Sequence, residues 1–365
     1  MFTATIRRQG LRNLFTAGLL MGATVILLTY PSAMTTGINR GLALCARVIL
    51  PTLYPFMLLA GITANSSLCR QPGRWAHRIT RRLFGLPGCC GPAILLSLVG
   101  GYPAGVVAIA ELYRNGQITR RQVERMTAYC VGGGPGFIIT TVGIGMLGNI
   151  TVGILLFIAQ VVTSLLFGFL LGHGHHDEKD HVTPVPTESL PFSRIVGNTC
   201  SALLCMCGFV TAAAMVLSLA EGSGLCGRLA EWAGISAGWI SAAFAGLLEV
   251  SSGCLSVAKT AATTPLFLCL CISWGGLSVH GQLAAAIPEC RLLTPRFWLW
   301  RLAHGVVSGT LATLLFRLCP PTLTTAVGTA ATLPHTVSGT ASTMLLCLSF
   351  LAMLQFCEKK TGNVS

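Results

Sequence analysis

The stretch LLSLVGGYPAGVVAIAELYRNG, Leu95 to Gly116, begins like a membrane helix and then breaks at Gly100, Gly101, Pro103 and Gly105. Backbone left unpaired in hydrocarbon costs several kcal/mol per group, so such a break is tolerated only inside protein or beside a water-filled cavity. The flanks decide what kind of break it is. Upstream, RQPGRWAHRITRR carries Arg70, Arg74, Arg78, Arg81 and Arg82; downstream, RNGQITRRQVER carries Arg114, Arg120, Arg121 and Arg125. Loops on the cytoplasmic side collect Lys and Arg, so both loops are expected there. A segment whose ends lie on one side cannot cross. Residues of about 91–112 are therefore predicted to enter and return as a re-entrant hairpin that turns at the Gly/Pro break.

The rest of the chain agrees with a membrane setting. Hydrophobic residues make up 53% and charged residues 10%, against about 45–50% and 25% in soluble domains. The mean hydropathy is +0.71. Apolar runs near the roughly 20 residues a bilayer requires recur at about 14–33, 42–64, 126–147, 150–172, 197–220, 264–287, 297–318 and 341–357. The expected fold is an all-α polytopic membrane protein with about eight transmembrane helices and two re-entrant hairpins. The net charge of +13 is read as loop bias facing the cytoplasm and the lipid bilayer, not as a nucleic-acid footprint. Arg7, Arg8 and Arg12 place the N-terminus inside, ahead of an uncleaved first helix. Sixteen cysteines are scattered through apolar segments, as at Cys200, Cys205, Cys207, Cys269 and Cys271, with no CxxC pair; they read as small reduced hydrophobes.

Threading onward, 126–147 leads out and 150–172 back to the polar linker HGHHDEKDHVTPVPTESLP. Beyond it, about 236–262 breaks again at EVSSG, Glu249 to Gly253, and a second hairpin there puts Arg291, Arg296 and Arg301 in the cytoplasm with Lys359 and Lys360. The expected organisation is an N-terminal transmembrane helix in 1–40, a first repeat in 41–172, a cytoplasmic linker in 173–194, a second, inverted repeat in 195–318, and a C-terminal transmembrane helix and tail in 319–365. Glu111 follows Gly105 as Lys259 follows Gly253, and VGGGPGFI is placed like SWGGLSVH. Inverted repeats with discontinuous helices are the architecture of many secondary transporters.

Five motifs in order, LPTLYPFMLLAGI, GGYPAG…ELYRNGQITRRQ, YCVGGGPGFIITTVG, GLLEVSSG and WGGLSVHGQ, span about 40–318. In these the chain resembles the sporulation integral membrane proteins of the YlbJ type, which contain the nucleoside-recognition, or Gate, domain. The resemblance implies a fold similar to concentrative nucleoside transporters and to the membrane part of ferrous iron transporter B. It implies a role in endospore formation, with dipicolinate passing across the outer forespore membrane. The readings kept beside it are a carrier of nucleosides or other solutes and a non-transporting sporulation assembly protein.

Half-helices that end at a midplane break aim free N–H groups and partial positive charge into the cavity between them, where an anion is the natural guest. The candidate substrate-binding residues are Gly100, Gly101, Tyr102, Pro103 and Gly105 at the first tip and Ser251, Ser252 and Gly253 at the second. Gly132, Gly133, Gly134, Gly275, Gly276 and Ser278 join them from the broken spans. The alternative for the glycines is close helix packing. Ionisable groups inside apolar spans are functional candidates by default. Glu249 is read either as a site for a coupling cation, a proton or a substrate hydrogen bond, or as a cap on the next half-helix. Lys259, His280 and Gln282 complete the candidates, Lys259 with the alternative of snorkelling to the surface. Gly168, on an ordinary span, is expected to accept alanine without effect. No ATP-binding or hydrolase motif and no defined metal pattern appears, so neither enzyme activity, cofactor nor metal is expected. His173, His175, His176, Asp177, Asp180 and His181 read as a solvated linker. A coupling ion and a homo-oligomer stay open.

Overall fold

The computed structural model describes residues 2–64, 74–173, 190–259 and 264–320. Every regular element among them is helical. The polar linker, apart from its two ends, and the expected helix at 341–357 lie outside the described residues, as do the metal-ligand types at His175, His176, Asp177, Asp180 and His181.

Among the described residues, four helices are long and apolar enough to cross a membrane: Ile150–Gly172, Phe192–Gly222, Pro265–Ala286 and Pro295–Leu318. A fifth candidate is bent. Helix α1, Phe2–Thr29, stops where Tyr30 meets Pro31, and α2, Pro31–Leu44, leaves at 92° to it. A residue before proline is pushed out of the α region, and Tyr30 sits at φ −121°, ψ 55°. The expected straight crossing at 14–33 is thus corrected to a helix that ends at Thr29 and turns. From Pro31 the backbone stays helical through a π segment, Cys45–Ile49, into α3, Leu50–Ala64.

After α4, Arg74–Phe84, comes α5, Cys90–Arg114, which is not one rod. Gly101 takes φ 73°, ψ −162° in its middle. In a straight helix Ser97 and Gly105 would stand about 12 Å apart along the axis. Here a Cβ added at Gly105 would lie 2.7 Å from Ser97 Cβ, so the chain folds back on itself at Gly101. Next come α6, Arg120–Tyr129, a second π segment, Gly136–Met146, and α7, Ile150–Gly172. Their starts are fixed locally. Thr119 and Gln122 form a reciprocal cap on α6, and Asn149 Oδ1 accepts from Thr151 N at 2.9 Å and Val152 N at 3.2 Å on α7.

The second half repeats this order: α8, Phe192–Gly222; α9, Leu225–Ala233; a fold-back of α10, Ala237–Leu248, and α11, Val250–Ala258; α12, Pro265–Trp274, broken from α13, Gly276–Ala286; and α14, Pro295–Leu318. Glu249 is extended between α10 and α11, and a Cβ on Gly253 would lie 2.4 Å from Gly246 Cα. The packing is matched as well. The first fold-back rests on α3 and on α13, the second on α8 and on the π segment Gly136–Met146, while α2 pairs with α8 and α7 with α14. Gly37 and Gly41 let α2 approach α8 closely: a Cβ at either would lie 2.6 Å from the Cα of Met215 or Thr211, the small-residue contact that membrane helices favour. One charge is moved from its expected place. Arg301 is not in a cytoplasmic loop; α14 begins six residues before it, and Arg301 is 1% exposed within that helix.

Candidate substrate cavity

Both fold-back tips, the first span break and the helix that follows the second break meet at one cavity. The first tip contributes Gly100, Gly101 and Tyr102, and the first break contributes Gly134 with Phe137 behind it. The second tip contributes Glu249, Val250 and Ser251, and α13 contributes Ser278, Val279 and Gln282. Ile49 and Leu53 on one side and Met206 and Val210 on the other close it with apolar surface. The volume is about 30 Å³, room for a few waters. An aromatic dicarboxylate would enter only if the tips part.

Each tip meets the break of its own half through backbone. At Gly101 an added Cβ would lie 2.7 Å from Gly134 N, and at Gly134 it would lie 2.9 Å from Gly101 N and Val99 O. Gly276, at φ +78°, abuts the other tip, its added Cβ falling 2.6 Å from Glu249 Cα. Only glycine combines that backbone with that approach.

Glu249 is 1% exposed. Its Oε1 accepts from Ser251 N at 2.8 Å and its Oε2 from Ser252 N at 2.7 Å. The chain's own carboxylate thus occupies the two donors at the start of α11 that the sequence reading offered to a visiting anion. Charge-assisted bonds of this kind are roughly twice as strong as neutral ones, so the cap holds the second tip in shape.

Other sequence candidates do not line this cavity. Gly105 and Gly253 let the arms of the fold-backs touch, against Ser97 and Gly246. Gly133 faces Ile138, while a Cβ on Gly132 would meet nothing within 4 Å. Gly275 closes α12 at φ +79°. Pro103 follows the first turn in the returning arm. Ser252 lends its N–H to Glu249, and Lys259 is exposed at the end of α11. His280 is buried between the rings of Trp274 and Phe297, centroids 4.5 and 5.2 Å away, with Nε2 3.0 Å from Trp274 O.

The structure adds residues that sequence reasoning passed over. The guanidinium of Arg301 donates from Nη2 to Ser273 O and from Nη1 to Ala128 O at 3.5 Å; its Nε finds no partner among the described residues. Those carbonyls lie in the last turns of α12 and α6, the half-helices that lead into the two breaks. Carbonyls at a helix C-terminus carry partial negative charge, and one cation serves both ends. Tyr102 Oη donates to Ile272 O on the same turn. Beside them His304 links Ser164 at 3.0 Å to Ser273 at 2.9 Å, and Gln160 Nε2 donates to Ser273 and Ser308 hydroxyls at 3.0 and 3.1 Å. The signal was present: Arg301, His304 and Ser308 recur on one helical face of an otherwise apolar segment.

Element order, apolar composition and interior breaks define an all-helical, polytopic membrane protein. The chain is similar to the sporulation integral membrane protein YlbJ of Bacillus subtilis (strain 168), 23% identical over 340 residues that cover 84% of this chain and 83% of that protein. The likeness runs across most of both chains. No family model and no solved structure matches the chain.

Proposed function

We propose that the protein carries a small organic anion across the membrane by alternating access between two inverted repeats, and that in endospore formation the anion is dipicolinate and the membrane the outer forespore membrane. The observation that carries the reading is the convergence of both fold-back tips, the first span break and the helix after the second break on one cavity. That arrangement suits a carrier whose site lies at the repeat interface. The relative's name supports the sporulation setting, and the Gate-type likeness supports the carrier class. With Glu249 at the cavity wall, the anion enters accompanied by a proton or a coupling cation that answers this carboxylate.

The test is uptake by proteoliposomes of the purified chain, with labelled dipicolinate and labelled nucleosides, at set pH and with or without a sodium gradient. Saturable dipicolinate uptake that nucleosides do not compete away is the expected result. Nucleoside uptake without dipicolinate uptake would move the substrate class. One observation favours a non-transporting assembly role, the backbone contact of Gly101 with Gly134. That reading gains if neither solute binds nor crosses.

A further inference from the structure

A second cavity, of about 710 Å³, opens between α6, the end of α7 and the start of α14. It is lined by three arginines, Arg121, Arg125 and Arg296, and by one carboxylate, Glu124. That carboxylate is already engaged, its Oε1 3.0 Å from Arg120 Nε. Arg125 is held from behind: Nη2 donates to Phe84 O at 3.1 Å and Gly85 O at 2.7 Å, and Nη1 is buried without a partner among the described residues. The start of α14 adds the positive end of a 24-residue helix. Positive charge is therefore in excess here, with donors in the fork geometry that suits phosphate oxygens.

Much of the remaining lining is apolar. Leu171, Leu292 and Trp300 belong to it, and the exposed Leu170 and Leu299 stand next to two of these in sequence, at the ends of two membrane-length helices. A soluble anion has no use for that lining. A molecule with a phosphate at one end and hydrocarbon at the other matches both, and basic pockets between membrane helices are a recurrent place for such headgroups. Neither the substrate cavity nor its caps involve these residues.

We propose that this pocket binds the phosphate of an anionic phospholipid, held by Arg121, Arg125 and Arg296, with an acyl chain lying along Leu171 and Trp300. The shared chemistry is phosphate, which a lipid or free phosphate could supply, and the apolar lining assigns it to lipid.

The test measures thermal unfolding of the purified full-length chain in detergent with added phosphatidylglycerol, phosphatidylcholine or inorganic phosphate. Phosphatidylglycerol should raise the midpoint and phosphatidylcholine should not. In the double variant Arg121→Gln, Arg296→Gln, phosphatidylglycerol should bind more weakly by about tenfold or more, the loss of at least one charge-assisted bond. Arg81→Gln with Arg82→Gln, exposed side chains on α4 that do not line the pocket, should leave the effect intact. Native mass spectrometry of the wild-type chain, counting retained phosphatidylglycerol, gives a measure that does not depend on how the variants fold. Equal shifts with phosphatidylcholine, an undiminished shift in the double variant, or no retained lipid would overturn the proposal. So would a shift with inorganic phosphate as large as that with lipid, which would make this a soluble-anion site.

Discussion

Gly101→Ala probes the contact on which the cavity depends. At φ 73°, ψ −162° Gly101 occupies a region that side-chain-bearing residues scarcely enter, and holding alanine there costs about 1–3 kcal/mol. The added methyl would also lie 2.7 Å from Gly134 N and 3.3 Å from Gly134 Cα. Both are backbone atoms that cannot rotate aside, so overlap adds about 1–3 kcal/mol. Together the expected loss is about 2–6 kcal/mol. Gly134→Ala meets the same contact from the other side, with added Cβ distances of 2.9 Å to Gly101 N and Val99 O and no positive φ. It should lose only the overlap part. Gly208→Ala on α8, where an added Cβ meets nothing within 4 Å, should be neutral or stabilising by up to about 1 kcal/mol. Gly168 cannot serve as this control, contrary to the sequence expectation, because a Cβ there falls 2.7 Å from the Phe84 ring and 3.0 Å from Tyr129. The assay is thermal unfolding of each purified variant, with dipicolinate binding normalised to folded protein. Equal stability of Gly101→Ala and Gly208→Ala would refute the tip-to-break contact.

Glu249→Gln keeps one acceptor for α11 but loses the charge, so the cap should weaken by about 1.5–3 kcal/mol, and Glu249→Ala should lose more; unfolding midpoints set beside uptake separate the roles, because flux that falls only in step with folded protein leaves Glu249 a cap and nothing else. Arg301→Met leaves the Ser273 and Ala128 carbonyls without their cation, at about 1–3 kcal/mol for each buried orphan. Arg301→Lys should recover less than half, since an ammonium lacks the fork that reaches both helix ends. Chemical unfolding reads both variants, and wild-type stability in Arg301→Met would remove the clamp.

How much could be read beforehand differs from element to element. The first fold-back was legible because glycine and proline inside an apolar run are conspicuous and its flanks are arginine-rich; the second showed only as the EVSSG interruption of an apolar run. The bend at Pro31 was equally visible but was absorbed into one apolar window, 14–33, whose hydropathy does not register direction. Gly101 and Gly253 look alike in sequence, yet one meets the span break of its own half and the other its own hairpin arm. The partner of a small residue is set by which helix arrives, and a single chain does not spell that out. Both readings of Glu249 were on the table, and the distances to Ser251 and Ser252 place it at the cap. Arg301 was misplaced for a simpler reason. A rule that counts charge by loop assigns a charge near a helix start to the loop, whereas its face, shared with His304 and Ser308, points inward.

The two wide-turn segments, Cys45–Ile49 and Gly136–Met146, both fall in the first half of the chain among the described residues, and each borders the cavity, through Ile49 and Phe137. A π turn holds an extra residue compared with an α turn, and each residue of an α-helix turns the axis by about 100°. Tightening either segment by one residue would swivel everything beyond it by that angle and carry Ile49 or Phe137 off the cavity wall. The second half has sharp breaks in place of such slack. Though alike in element order, the two halves differ in how they bend at the cavity: the first through wide turns that a one-residue change would rotate, the second through sharp breaks.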